Sequence, residues 1–186
     1  MGKPSPNDIA DAARLLAGEA PQAILGWALD KFKGHIAIAS SFSVEDCVVI
    51  DMAWKIDKSI RVFALDTGRM HEATYLTADR VREKYGITIE WQYPDRIKVE
   101  SLIRGKGLYS FMESVENRHE CCGIRKVEPL ARALGGLDAW ITGLRREQSV
   151  TRTELREVEL DANNGGIAKV NPLADWTSSD VAVYAR

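Results

Sequence analysis

The stretch His35-Ile-Ala-Ile-Ala-Ser40-Ser41-Phe42-Ser43-Val44 decides the fold. Its first five residues form a short apolar run, which reads as a buried strand. Ser40 to Ser43 reads as a polar turn. Val44 to Lys55 continues as a helix, with Glu45 and Asp46 in the first turn, where acids suit the positive end of the helix dipole. Ile60-Arg-Val-Phe-Ala-Leu65 is a second strand, ending at Asp66-Thr67-Gly68-Arg69. A strand, a crossing helix and another strand make the repeating unit of a parallel sheet.

The same alternation extends in both directions. Upstream, Ser5 caps a helix with Pro6 at its first position, and Pro21 opens a second helix that Gly34 stops. Downstream, Glu72 to Tyr85 is a helix stopped by Gly86, and Thr88 to Tyr93 is a third strand. Two short helical pieces are expected between Ile97 and Val115. Cys121 to Leu134 reads as a helix ended by Gly135-Gly136, and Ala139 to Thr142 as a fourth strand. Val158 to Asp161 and Ile167 to Val170 flank Asn163-Asn164-Gly165-Gly166, a hairpin turn. Thr177 to Asp180 caps a last helix from Val181 onward. The pattern predicts an α/β domain over residues 1–186, a mostly parallel sheet with helices on both faces, preceded by packing helices in 1–34. That last helix has barely begun at Arg186, so a C-terminally truncated chain is expected.

Composition narrows the function. The chain has 186 residues, 45% hydrophobic and 28% charged, ordinary for a globular domain. No apolar run approaches the roughly 20 residues of a membrane span, and no secretory signal opens the chain. Three cysteines, two of them adjacent, make no disulfide framework, which points to a reducing cytoplasm. A net charge of −2 and five scattered tryptophans argue against a nucleic-acid surface. Between Asn117 and Arg152, however, seven basic residues stand against four acidic ones. A local basic island suggests a small anionic ligand, with a solvated helix face as the plainer reading.

In an open parallel sheet, ligands bind beyond the carboxyl ends of the strands. Three polar segments fall there. Ser41-Phe42-Ser43 leads into a helix N-terminus, where free N–H groups suit a phosphate; ordinary capping explains it equally well. Leu65 to Arg69 offers a strand-end Asp and a Gly that permits close backbone approach. Gly143 to Arg152 carries Arg145, Arg146 and Arg152, whose forks suit phosphate and sulfate oxygens. A fourth segment, Cys121-Cys122-Gly123-Ile124-Arg125-Lys126, places two thiols beside fixed cations, which favour the thiolate that binds metal. Two small buried hydrophobes would explain the pair as well. Cys47 and His35 read as structural, and His71 as a surface residue ahead of a helix.

Ser-Phe-Ser-x-Glu-Asp (41–46), Leu-Asp-Thr-Gly-Arg (65–69), Cys-Cys-Gly-x-Arg-Lys-Val-x-Pro-Leu (121–130) and Gly-x-Arg-x-x-Gln-Ser-x-x-Arg (143–152) together resemble the assimilatory sulfonucleotide reductases. Asn171-Pro172-Leu173 and Trp176-Thr177-x-x-Asp180 also fit. Thr-Gly-Arg and the double cysteine are similar to the adenylyl-sulfate branch. The resemblance implies an adenine-nucleotide hydrolase-like fold, adenosine 5′-phosphosulfate as substrate, sulfite and AMP as products, a cysteine S-sulfo intermediate and thioredoxin as partner. It implies that Ser41 and Ser43 hold the ribose and phosphate side, and that Leu65, Asp66 and Gly68 hold adenine through backbone contacts. Lys126, Arg145 and Arg152 would take the phosphosulfate, with Arg69, Gly143 and Gln148 completing the substrate set. Cys121 and Cys122 would bind two irons of a [4Fe-4S] cluster, with Lys126 one helical turn from Cys122. The chain departs from the family pattern in having neither a second cysteine pair nor the nucleophilic cysteine, so alone it is expected to be inactive. Alternatives are a reductase of the 3′-phosphorylated substrate, an ATP pyrophosphatase relative and a non-catalytic adenine-nucleotide module. Whether identical copies assemble stays open.

Overall fold

The computed structural model describes residues 3–186. Two helices lead, α1 (Pro6–Leu15) and α2 (Pro21–Lys31), followed by β1 (Ile36–Ser40), α3 (Val44–Ile56), β2 (Arg61–Leu65), α4 (Glu72–Tyr85) and β3 (Ile89–Gln92). Then come α5 (Arg96–Lys106), α6 (Val115–Cys122), α7 (Glu128–Leu134), β4 (Ala139–Ile141), β5 (Val158–Asp161), β6 (Ile167–Val170) and α8 (Ser178–Tyr184). The strands lie in the order β3-β2-β1-β4-β6-β5, and every neighbouring pair is parallel except β5 with β6. The mostly parallel sheet read from the sequence is the sheet observed.

Alternation along the strands feeds two core layers. Ile36 and Ile38 of β1 pack with Val49 and Met52 of α3 on one face. Ala37 and Phe63 turn to the other face, against Leu134 of α7 and Leu137. Both faces are therefore buried, which is why β1 and β2 are apolar nearly throughout. The caps fall where the side chains dictate. Ser5 and Asp8 form a reciprocal capping box on α1, as do Thr177 and Asp180 on α8. No helix among the described residues is long and apolar enough to cross a membrane.

Three expectations need correction. The helix expected over Cys121 to Leu134 begins earlier, at Val115, where Ser114 accepts from the Asn117 amide at 3.1 Å. It is not continuous: Gly123–Val127 is a π turn, with the Glu128 amide bonded to the Gly123 carbonyl. Pro129 supplies the reason, since it lacks the N–H that would bond the Arg125 carbonyl and its ring crowds that oxygen. The cysteine pair thus ends a helix rather than opening one. The β5–β6 connection is also longer than a four-residue turn. It is a 3₁₀ turn, Ala162–Asn164, followed by Gly165 and Gly166 at φ 76° and 71°. Finally, α8 starts at Ser178, three residues before the expected Val181.

Candidate functional site

A cavity of about 510 Å³ opens at the carboxyl ends of β1, β2 and β4. Of the residues expected at a ligand, Ser41, Leu65, Arg69, Lys126 and Gly143 line it. Phe63, Leu130 and Trp140 give it an apolar floor.

The wall at the end of β1 turns on Phe42, a buried residue held at φ +59°. A side chain in the left-handed region is unfavourable, and here the turn brings Ser43 into place as the cap of α3. Ser43 accepts from the Asp46 amide at 3.3 Å and lies outside the cavity lining. Ser41 is committed to Asp46, whose Oδ2 accepts from both its amide (2.6 Å) and its hydroxyl (2.7 Å). Burial raises the Asp46 pKa, against the opposing effect of those bonds. Asp46 lines the cavity, and Gly143 lies so close that an added Cβ would stand 2.4 Å from Asp46 Oδ1.

The arginine-rich loop does not deliver its forks to the cavity. Arg145 is buried and spends all five N–H groups inside the protein. Its Nε and Nη2 donate to Glu45 Oε1 at 3.2 and 2.8 Å, its Nη1 to Glu147 (2.8 Å) and the Trp176 carbonyl (3.2 Å), and its Nη2 also to Ser178 (3.3 Å). Burial pushes the Glu45 pKa up, but the bonds from Arg145 and Gln148 outweigh it and leave the carboxyl below its usual range. Gln148 donates to Glu45 at 3.2 Å and accepts from Arg152 at 2.5 Å. Arg145, Gln148 and Arg152 therefore belong to a hydrogen-bonded network around Glu45, in which Arg145 forms the ion pairs, and none of the three lines the cavity. Glu45, read from sequence only as a first-turn acid, is the missed hub. Nothing in the local pattern marks a partner 100 residues away.

At the end of β2, Asp66 is buried and accepts from the Gly68 amide (2.7 Å) and the Tyr75 hydroxyl (2.8 Å). Its own amide donates to the Gln92 carbonyl at 3.0 Å. The amides of Asp66 and Gly68 are thus used within the fold, leaving carbonyls, and neither residue lines the cavity. Arg69 stacks on Phe111, 4.3 Å from the ring centre, and donates to the Leu108 carbonyl.

The cysteines stand apart from the cavity lining. Cys121 is buried and Cys122 exposed at the end of α6. The π turn then carries Lys126 to the cavity, so the simple one-turn relation between Lys126 and Cys122 does not hold. The Lys126 ammonium makes no hydrogen bond or ion pair with the described residues. No group of three or more His, Cys, Asp or Glu suited to a metal occurs among the described residues. A [4Fe-4S] cluster takes four thiolates; the pair supplies two, so these residues do not by themselves fit a complete cluster. Cys47 does not extend the set. Its sulfur faces the Phe42 carbonyl at 4.0 Å, and burial with the nearby Asp46 charge pushes the thiol up to about 11.

A mostly parallel sheet with a cavity at the carboxyl ends of its strands defines an open α/β protein whose ligand site lies where such sheets bind ligands. The family model described as "Phosphoadenosine phosphosulfate reductase domain" matches residues 35–186. An adenosine 5′-phosphosulfate reductase of Pseudomonas aeruginosa is 44% identical over 186 residues, covering 97% of this chain and 68% of its own length. One from Burkholderia cepacia is 47% identical over 175 residues, covering 94% and 68%. The crystal structure of phosphoadenylyl-sulfate reductase from Candida auris, a phosphate complex, superposes with a TM-score of 0.82 at 26% identity, covering 98% of this chain and 87% of that one. The chain belongs to the sulfonucleotide reductase family, in its adenosine 5′-phosphosulfate branch, and the family-level function is sulfate reduction.

Proposed function

We propose that this chain is the substrate-binding domain of a cytoplasmic, thioredoxin-dependent adenylyl-sulfate reductase. The observation that carries the reading is Lys126, a cation without an internal partner lining a cavity at the strand ends. Adenine lies on the apolar floor of Phe63, Leu130 and Trp140, its amino group donating to a carbonyl at the end of β2. The phosphosulfate faces Lys126 and Arg69. A thiolate from outside these residues attacks the sulfate sulfur, the bond from sulfur to the phosphate oxygen breaks, and AMP departs with the electron pair. Thioredoxin's dithiol then reduces the S-sulfocysteine to sulfite and becomes a disulfide. Lys126 stabilises charge growing on the departing phosphate oxygen. Cys121 and Cys122 would serve as two of the four ligands of a [4Fe-4S] cluster, the others coming from outside these 186 residues.

Calorimetry with AMP on this chain tests the nucleotide site directly. Heat of binding is expected, and none with AMP or adenosine 5′-phosphosulfate would end the proposal. In the full-length protein, Lys126→Ala is expected to slow turnover more than it weakens nucleotide binding. Unchanged turnover at saturating substrate overturns that role. Iron content and visible absorbance, lost in Cys121→Ser, test the ligand assignment separately.

A further inference from the structure

Among the described residues two arginines are buried, and they are treated differently. Arg145 is fully bonded between two carboxylates. Arg125, 6% exposed, pairs with no carboxylate among the described residues, and its buried Nε has no hydrogen-bond partner. Its Nη1 donates to the Thr67 carbonyl at 2.5 Å. Burying an unpaired charge is unfavourable, and replacing it by an apolar side chain of similar volume is often neutral or stabilising. Packing alone therefore does not account for an arginine here.

The contact surface explains what the guanidinium holds. Thr67 and Gly68 form the turn at the end of β2, with Gly68 at φ +70° and its amide bonded to Asp66. A Cβ added to Gly68 would stand 3.1 Å from Arg125 Nη1, so the turn and the guanidinium are packed face to face. Thr67 and Arg69, on either side of Gly68, both line the cavity. So does Lys126, the neighbour of Arg125 on the π turn. One side chain thus ties two cavity walls that are 58 residues apart in sequence.

We infer that Arg125 is a positioning residue: its bond to the Thr67 carbonyl holds the Thr67–Gly68 turn against the π turn that carries Lys126, in the shape that receives the nucleotide. The inference rests on the nucleotide site proposed above. Stability and binding are its opposing readouts, because a residue kept only for structure loses both together.

The experiment compares wild type, Arg125→Met and Arg125→Lys by thermal melting, AMP calorimetry and hydrogen exchange at the Gly68 amide, read without ligand. Arg125→Met is expected to melt no lower than wild type, to exchange the Gly68 amide faster, and to bind AMP about tenfold more weakly, the scale of a lost charged hydrogen bond. Arg125→Lys, which can still reach the carbonyl, is expected to recover most of that affinity. Unchanged Gly68 exchange in Arg125→Met overturns the inference, as does faster exchange with unchanged AMP affinity or a fall in melting temperature alone. If wild type itself binds no AMP, the proposed nucleotide site fails, and the ligand-receiving role falls with it. Failure of the inference alone shows only in the comparison of variants.

Discussion

At the residue scale, the site is governed by carboxylates more than by its arginines. Gly143 leaves room for Asp46: a methyl there meets Asp46 Oδ1 at 2.4 Å, and the Asp46 amide nitrogen and Glu45 Cβ each at 3.1 Å. Gly143→Ala is expected to lower stability by about 1–3 kcal/mol, the range for overpacking, and to weaken AMP binding; Asp46→Ala in the same chain should recover part of the loss of melting temperature. Asp46 also sets a pH dependence. Its folded pKa is raised, chiefly by burial. Between the ordinary carboxylate value and the raised one, the folded state holds more protons, so stability falls as pH rises through that window. Asp46→Asn should flatten that part of the curve, measured as melting temperature against pH; an unchanged slope would assign it to another group. Little of this was legible in sequence. Ser41, Leu65, Arg69, Lys126 and Gly143 do line the cavity: the strand-end rule points to Ser41 and Leu65, and the family resemblance to the other three. Arg145, Gln148 and Arg152 lie away from the cavity lining: a guanidinium suits a buried glutamate as well as a phosphate, and only the fold brings Glu45 to them.

At the scale of the element, the informative piece is the π turn between α6 and α7. Sequence reading made one helix of residues 121–134 because apolar spacing continues through it. It missed that Ser114 caps an earlier start and that Pro129 removes a backbone donor. π turns recur at functional sites, where the extra residue shifts side chains around the axis. Here it separates the roles of adjacent residues: Cys121 and Arg125 are buried, whereas Cys122 and Lys126 are exposed, Lys126 toward the cavity. Pro129→Ala restores an N–H that can bond the Arg125 carbonyl and close the turn as α-helix. The expected result is an equal or higher melting temperature with weaker AMP binding, as Lys126 rotates away. A lower melting temperature with unchanged affinity would show that the π turn is a packing adjustment without bearing on the ligand. The strands, by contrast, were legible to within a residue or two, because short apolar runs buried on both faces leave little choice of register.

At the scale of the molecule, the cavity is positioned by how α3 is held from behind. Its N-terminus carries Ser43, Glu45 and Asp46; its middle carries Asp51, which gathers three helices. Asp51 accepts from Tyr85 of α4 at 2.9 Å and Tyr184 of α8 at 2.8 Å, and pairs with Lys55 of α3 at 2.6 Å. Burial pushes the Asp51 pKa up, but bonds from Lys55, Tyr184 and Tyr85 outweigh it and hold the carboxyl below its usual range. The other end of α8 reaches the site network, where the Ser178 amide donates to Glu147 at 2.7 Å. Tyr184→Phe keeps the ring against Trp176, 5.9 Å between centres, and removes only the hydroxyl. The hydroxyl donates to Asp51 and accepts from Lys55 at 3.3 Å, so the loss should be about 1–2 kcal/mol, the scale of one to two hydrogen bonds. A depressed carboxyl stabilises the fold fully above its unfolded pKa and loses that contribution as pH falls through the folded value. The deficit of Tyr184→Phe should therefore be largest at neutral pH and shrink in acid, read from denaturant unfolding at several pH values. AMP affinity should stay at the wild-type value, because the change lies behind the helix and leaves Asp46, Gly143 and Lys126 in place. A deficit that persists undiminished below the folded pKa of Asp51 would show that the hydroxyl acts through packing and not through this carboxylate.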